Sequence, residues 1–287
     1  MIALISRWLA VAIATMVGVA FGVHDAAAKM WMEDVDPELL SFSTLLVGLP
    51  LLLVMLPMAG GLRITPLSAA YFVVAGVINF AVGRTLMYVT TSLLTASGAS
   101  VMTSSSAAFS ILLAALLGEP VRPVTVLGVA AIMAAVYLAS DWRGSRAPAR
   151  GLATGLAVGL AIAASVAVIK LGDEAGGSPA LGVVIAYASG MAALASRVRG
   201  LRPLARSRPG PLALMGLSAA AGQLMRYVAL TVLSVDVVTP LQNIRPIVAT
   251  LVLSSAAPAS RRPRAVHWAA AALAFAGVAL VSGLARL

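Results

Sequence analysis

Three arginines lie within long apolar segments of the chain, where a charged side chain is costly and marks a candidate functional site. They are Arg84, Arg226 and Arg245. A charged group deep in a bilayer costs ~2.5–3.5 kcal/mol on insertion scales. Arginine also binds carboxylates and phosphates through two parallel hydrogen bonds. The chemistry that these residues favour is therefore recognition of an anion at mid-membrane depth.

Other polar residues share the faces of these arginines. Thr239, Gln242 and Arg245 are spaced i, i+3, i+6 on one helical face, and Gln223 and Arg226 share a face of the preceding segment. Counting ~1.5 Å per residue from the turn near residues 233–235 places this set ~10–18 Å into a slab ~30 Å thick. The internal repeat described below brings two first-half residues to the same level. The predicted substrate-binding residues are Arg226, Arg245, Gln242, Gln223, Asn243, Arg84 and Ser104.

Packing is the alternative role for these arginines. A buried guanidinium can cap backbone carbonyls or pair with a carboxylate. Asp236 is the nearest carboxylate to Arg245 in sequence, although it lies ~13 Å away along the helix. Asp25 is assigned to an acidic loop after the first span, together with Glu33, Asp34, Asp36 and Glu38.

The composition indicates that these side chains are positioned by a membrane protein and not by a soluble domain. Of 287 residues, 61% are hydrophobic and 10% are charged, and the mean hydropathy is +1.00, which excludes a soluble globular domain. The absence of cysteine excludes disulfides and thiolate chemistry. The net charge of +10 sits in short clusters between apolar runs. It therefore favours contact with lipid headgroups over binding of nucleic acid.

Ten apolar segments are long enough to be spanning helices, and proline, glycine and arginine punctuate the connections between them. The segments are 8–24, 39–58, 67–88, 92–117, 123–141, 151–171, 180–197, 211–232, 236–257 and 265–285. Pro240 and Pro246 each remove a helix hydrogen bond, so the ninth span is predicted to be broken or bent between Thr239 and Pro246.

An internal repeat relates the two halves of the chain. An offset of 139 places Gly83 on Gly222 and Tyr88-Val89 on Tyr227-Val228, and it lays spans two to five over spans seven to ten. A unit with an odd number of spans must enter the bilayer from opposite sides in its two copies. The sequence therefore predicts an all-α membrane protein with ten transmembrane helices in two inverted five-helix repeats, residues 1–146 and 147–287. Residues 8–28 also fit a cleavable signal peptide, but the repeat favours a retained first helix.

The segments Gly83–Tyr88, Ser92–Ser97 and Leu116–Pro120 resemble the EamA-type members of the drug/metabolite transporter superfamily. The second copy, from Arg226 to Pro246, looks like the corresponding family segment. The resemblance implies a small-molecule carrier that works by alternating access. It is expected to act as an exporter or an exchanger. The chain departs from the pattern where Ala257-Pro258 replaces a second Gly-Glu, and the first span, taken as 8–24, lacks the acidic residue of the related small multidrug-resistance proteins.

Catalysis and cofactor binding have no support in the sequence. His24 and His267 stand at span ends without a second ligand at i+3 or i+4, so no metal is expected, and no phosphate-binding glycine loop occurs. We expect no cofactor and no enzymatic activity. The partners expected are a small-molecule substrate and membrane lipids, without nucleic acid, and a homodimer is a possible assembly.

The function predicted is secondary transport of a small metabolite with an anionic or zwitterionic group across a prokaryotic cytoplasmic membrane. The alternatives are a carrier of lipid-linked or amphipathic substrates and a non-transporting membrane subunit. For orientation, the side that holds both termini carries five basic residues: Arg7, Arg63, Arg122, Lys170 and Arg286. The other side carries twelve: Lys29, Arg143, Arg146, Arg150, Arg197, Arg199, Arg202, Arg206, Arg208, Arg261, Arg262 and Arg264. The positive-inside rule therefore favours termini outside, whereas relatives of the family usually keep both termini inside.

Overall fold

The computed structural model is helical, and no strand occurs in the residues that it describes. These are 7–32, 34–59, 62–94, 96–116, 123–139, 149–198, 208–233, 238–239, 241–257 and 264–282. The α-helices are α1 (Arg7–Trp31), α2 (Pro37–Met55), α3 (Pro66–Gly76), α4 (Thr85–Leu93), α5 (Ala96–Thr103), α6 (Ser105–Leu116), α7 (Pro123–Ala139), α8 (Ala149–Glu174), α9 (Pro179–Ala195), α10 (Pro209–Leu230), α11 (Arg245–Ala256) and α12 (Ala265–Ser282). A π-helical segment (Val77–Arg84) joins α3 to α4, and 3₁₀ turns occupy Leu56–Ala59 and Gln242–Ile244.

Four of the helical stretches are long and apolar enough to cross a membrane. They are Trp8–Trp31, Pro37–Met55, Pro66–Leu93 and Ala149–Glu174. Shorter apolar helices include Pro179–Ala195 and Ala265–Gly277. Apolar helices of this length pair the backbone N–H and C=O groups of their inner turns within the helix, which is what the bilayer core requires of a spanning segment. The chain is therefore a multi-pass membrane protein.

Local capping explains where helices begin. Asp36 accepts a hydrogen bond from the Leu39 backbone N–H at the start of α2. At the start of α3, the Thr65 and Ser68 side chains each accept from the backbone N–H of the other, which is a capping box. Proline occupies the first turn of both helices, where its missing N–H costs nothing.

Helices α1 and α8 each pack against helices that lie far from them in the sequence. Helix α1 packs against α10, α11 and the Gln242–Ile244 turn of the second half. Helix α8 packs in the corresponding way against α3, the π segment, α4, α5 and α6 of the first half. These contacts bring helices from the beginning and the end of the sequence together in one bundle.

Hydrogen bonds and ion pairs between the segments that join the helices show that these segments lie at two ends of the bundle. The Ser178 backbone N–H donates to the Arg63 carbonyl at 2.9 Å, which joins the α8–α9 connection to the segment before α3. At the other end, Arg208 donates to both oxygens of Asp34 at 2.6 and 2.8 Å, and Arg197 donates to Glu38 at 3.1 Å. The exposed ion pairs thus join the start of α10 to the α1–α2 connection and the end of α9 to the first turn of α2.

The first and third spans run past their predicted ends, and the fourth span is interrupted. The third span, predicted as 67–88, belongs to a helical stretch that continues to Leu93. The first helix does not end at residue 24 but continues to Trp31. Its charged residue Lys29 can remain within the helix because its ammonium group donates to the carbonyls of Thr91 and Leu94. The fourth span is interrupted at Ser104, a turn residue between α5 and α6. The predicted break in the ninth span is confirmed, since α11 begins only at Arg245, after the 3₁₀ turn.

Candidate substrate-binding site

A small cavity lined mostly by buried side chains lies between α1, the π segment, α4, α8, α10 and α11. Its volume is about 30 Å³. Its lining is Phe21, His24, Asn79, Gly83, Arg84, Met87, Val158, Ile162, Gln223, Arg226 and Arg245. A second cavity of about 10 Å³ is lined by Phe21, Thr103, Ser106, Ile162, Arg226, Gln242, Asn243 and Arg245. Arg226 and Arg245 border both cavities, so all three predicted arginines meet at one polar interior.

Arg245 is paired with Asp25 of α1. Its Nε donates to one carboxylate oxygen and its Nη2 donates to the other at 2.5 Å, which is a bidentate ion pair. The two side chains are 8% and 5% exposed. Nη2 also contacts the Met87 sulfur at 2.6 Å. One guanidinium of the site is therefore neutralised by the protein itself.

This pairing corrects two predictions. Asp25 does not belong to an acidic loop, because α1 continues through it and buries its side chain. The partner of Arg245 is Asp25 and not Asp236, which lies outside the described residues. The first helix thus does contain an acidic residue, which the shorter prediction of 8–24 left out.

Glycines of α1 make this pairing possible. Gly18, Gly22 and Asp25 are spaced i, i+4, i+7 on one helical face. A Cβ at Gly22 would lie 2.9 Å from the Arg245 carbonyl oxygen, and one at Gly18 would overlap the Gln242 carbonyl. The small face therefore lets the α1 backbone approach the broken ninth segment closely, as small residues do between membrane helices.

Arg226 is the most deeply buried of the three arginines, at 2% exposure. Its Nε donates to Gln242 Oε1 at 3.0 Å, and its Nη1 lies 3.5 Å from Gln223 Oε1. Its guanidinium carbon lies 4.8 Å from the centre of the Phe21 ring, and that of Arg245 lies 5.3 Å from the same ring. Within the described part of the chain, Arg226 makes no ion pair with a carboxylate.

Arg84 ends the π segment, whose wider turn sets its side chain toward the interior. Its Nη1 donates to Thr44 Oγ1 at 3.3 Å. Its guanidinium carbon lies 4.6 Å from the Phe80 ring centre and 5.7 Å from that of Tyr187. Like Arg226, it has only neutral partners among the described residues.

His24 is held by two neighbours on opposite sides of its ring. Nδ1 lies 3.0 Å from the Met215 carbonyl oxygen, so this nitrogen carries a hydrogen and donates it. Nε2 lies 2.9 Å from the Tyr88 hydroxyl, which can donate to it. A neutral imidazole therefore satisfies both contacts. His24 is buried in the bundle rather than standing at a span end as predicted.

The remaining predicted residues divide into two groups. Gln223, Gln242 and Asn243 line the cavities, and Asn243 Nδ2 donates to the Thr239 carbonyl at 2.8 Å. Ser104 is buried at the α5–α6 turn without bordering either cavity. Its neighbours Thr103 and Ser106 do border the smaller one.

Sequence reasoning missed Phe21 and Asn79, which line the cavity, and Asp25, which pairs with Arg245. For Asp25 a signal was available, because the small residues Gly18 and Gly22 lead to it along one face. Asn79 stands in a span at five residues from Arg84, a spacing that shares a face only in the wider π turn. Phe21 carries no polar atom and gave no signal.

Long apolar helices that surround a cavity lined by arginines define the class of protein as a multi-pass membrane protein with a polar interior. Residues 8–141 match the EamA-like transporter family, which confirms the predicted resemblance over this region of the chain. The family consists of membrane transporters rather than enzymes. No curated protein matches the sequence significantly.

A solved structure described as "Crystal structure of protein" has a similar fold. It superposes with a TM-score of 0.70 at 19% sequence identity, and the match covers 98% of this chain and 98% of the other. At this identity the likeness concerns the fold alone. The helical arrangement described above therefore recurs over the whole length of another chain.

Proposed function

We propose that the chain is a secondary transporter that moves a small anionic metabolite by alternating access across the cytoplasmic membrane of a prokaryote. Its ten spans form two inverted five-helix repeats, residues 1–146 and 147–287. Helix α1 packs on the second half and α8 packs in the corresponding way on the first, which supports this arrangement. Arg84 of the first half and Arg226 of the second bind the anion.

One observation carries this proposal. Arg84 and Arg226 both line the cavity, and neither makes an ion pair with a carboxylate in the part of the chain that is described. Arginine stays protonated in proteins, so each side chain brings a full charge into a region of low dielectric. Unpaired buried charges are costly and are kept where they serve a ligand or an ion pathway. An anion that enters the cavity would compensate both.

The size of the cavity supports an alternating mechanism. A water needs ~10–15 Å³ of such space, so about 30 Å³ holds no more than a few atoms. A metabolite can enter only if helices move apart on one side. The small volume of the cavity therefore supports a mechanism in which the site opens to one side of the membrane at a time.

Reconstitution tests the proposal. Purified protein in liposomes is assayed for uptake of a panel of radiolabelled carboxylates and phosphates, each against an internal pool of the same compound. We compare wild type with Arg84→Gln and Arg226→Gln, and with Arg197→Gln as a control, since Arg197 is an exposed arginine in a surface ion pair.

Arginine-dependent uptake of an anion supports the proposal if Arg197→Gln transports normally and all variants insert in equal amounts. Uptake that is unchanged in both Arg84→Gln and Arg226→Gln would contradict the assigned site. Absence of any protein-dependent flux across the panel would contradict transport itself.

A further inference from the structure

We infer that the anion bound at this site is a small dianion that presents several acceptor oxygens, of the kind found in dicarboxylates and phosphate monoesters. This inference rests on the proposed function and specifies its substrate class. It follows from the charge balance of the site, from a surplus of hydrogen-bond donors, and from the absence of an acidic group on the cavity walls.

The charge balance leaves two positive charges. Three guanidiniums border the cavity, those of Arg84, Arg226 and Arg245. Asp25 neutralises Arg245 by its bidentate ion pair. His24 can meet both of its contacts as a neutral ring. A monoanion would leave one uncompensated charge inside the bundle, whereas a dianion would leave none.

The donor surplus is a separate observation. Among the described residues, Asn79 Nδ2 and Gln242 Nε2 have no hydrogen-bond partner, although the two residues are only 8% and 4% exposed. The orientation of Gln242 is set by Arg226, which donates to its Oε1 and so leaves the amide nitrogen as the free end. An amide nitrogen can only donate, and a buried unpaired donor costs about 1–3 kcal/mol. The missing partners must be acceptors.

Both free amides lie on cavity walls. Asn79 borders the larger cavity beside Arg84, and Gln242 borders the smaller one beside Arg226. Among the described residues, the two linings together therefore hold two guanidiniums without a carboxylate partner and two unpaired amide donors. A ligand with oxygens at two positions, or with one group of three oxygens, supplies acceptors to both pairs.

The walls also argue against a zwitterion. Among the described residues, neither lining contains an aspartate or a glutamate. Asp25 holds Arg245 from outside the cavity lining, with both oxygens engaged. An ammonium group in the cavity would meet guanidiniums and amide donors, which repel it.

Matched pairs of compounds test the charge of the ligand. The probes are malonate, succinate and glutarate, each against its half-amide, and methyl phosphate against dimethyl phosphate. Within a pair, shape is nearly constant and one charge is removed. Binding to the detergent-purified protein at pH 8 is measured from the ligand-dependent rise in melting temperature. The carboxylate and phosphate pairs form separate arms that distinguish the two sources of a dianion.

We expect at least one dianion to bind about tenfold or more tightly than its monoanionic partner, a difference of ~1.4 kcal/mol. Arg84→Gln and Arg226→Gln should each remove this preference, because the site then carries one net charge. The control variant Arg197→Gln, at an exposed position, should retain the preference for the dianion.

The inference is overturned if no dianion in the panel binds more tightly than its partner, or if the preference persists in both Arg84→Gln and Arg226→Gln. The liposome assay separates this result from failure of the proposed function. If an anion is transported in an arginine-dependent way but the two members of each pair are treated alike, the proposed function is supported. Only the inference that the substrate is a dianion is then contradicted.

Discussion

Lys29 and Lys170 make the same kind of contact in the two halves of the protein. Lys29 Nζ donates to the carbonyls of Thr91 and Leu94 at the end of α4, at 2.8 and 3.0 Å. Lys170 Nζ donates to the carbonyl of Leu230 at the end of α10, at 3.0 Å. They are the only two lysines of the chain, and the repeat offset of 139 places Thr91 on Leu230. Each lysine supplies a charged donor to carbonyls that a helix end leaves unpaired.

The two caps lie at opposite ends of the bundle. Arg208, at the start of α10, donates to the carbonyl of Trp31, close to Lys29 in α1. Leu230 ends α10, which has 22 residues. At ~1.5 Å per residue that helix separates the two caps by roughly 30 Å. A cap at each end, made in turn by the first helix of each half, is suited to hold a different side closed.

The first prediction is that the two lysines stabilise closure of opposite ends. Lys29→Met should increase maleimide labelling of a Thr91→Cys reporter, since Thr91 is buried. Lys170→Met should increase labelling of a Thr231→Cys reporter, and neither variant should affect the other end. The reason is the loss of hydrogen bonds from a charged donor, about 1.5–3 kcal/mol each. The chain has no native cysteine to interfere. A lower melting temperature with unchanged labelling would mean that the caps stabilise helix ends only.

The second prediction concerns the ion pair between Asp25 and Arg245. Asp25→Asn or Arg245→Gln alone should lower the free energy of unfolding in an SDS titration by about 3–5 kcal/mol, because each leaves an unpaired buried charge. The double variant should lose less than the sum of the two single losses.

Glu38→Gln is the matched control for that experiment. Glu38 pairs with Arg197 at the surface, where the two side chains are 32% and 64% exposed. An exposed pair contributes about 0–1 kcal/mol, so this variant should change stability little. Equal losses for Asp25→Asn and Glu38→Gln would show that burial of the Asp25 pair has no energetic consequence.

The third prediction tests the close packing of α3 on α9. A Cβ at Gly76 would overlap the Ala186 carbonyl and the Ser189 side chain. Gly76→Ala should therefore lower the free energy of unfolding by about 1–3 kcal/mol, as overpacking does. A Cβ at Gly210, in the first turn of α10, would meet nothing within 4 Å. Gly210→Ala should be neutral or stabilise by up to ~1 kcal/mol, and a reversed order of the two variants would contradict the packing described.

The fourth prediction is the orientation given by the charge rule, with termini outside. Single cysteines at Leu62, before α3, and at Ser196, after α9, report the two ends of the bundle. In intact cells an impermeant maleimide should label Leu62→Cys and leave Ser196→Cys protected until the membrane is permeabilised. Labelling in the reverse pattern would place the termini inside, as relatives of the family usually have them.

The sequence by itself determined the helical membrane class, because the need to satisfy backbone hydrogen bonds in a bilayer leaves long apolar segments one solution. It also identified Arg84, Arg226 and Arg245, since a charge inside an apolar run is conspicuous whatever the fold. The break near Gln242 followed from Pro240 and Pro246, whose effect on a helix is local. Features that are set within a single segment of the chain could therefore be predicted from the sequence alone.

Only the tertiary structure decided which charges are paired. Asp25 and Arg245 are 220 residues apart, and the partner closest in sequence was the wrong one. Hydropathy falls at His24 and Asp25, so the sequence indicated the end of a span, whereas both side chains find buried partners on other helices. Whether a polar residue ends a helix or lies inside the bundle depends on whether neighbouring helices provide it with a hydrogen-bond or ion-pair partner. Within the described part of the chain, that pairing leaves Arg84 and Arg226 as the cavity arginines without a carboxylate partner.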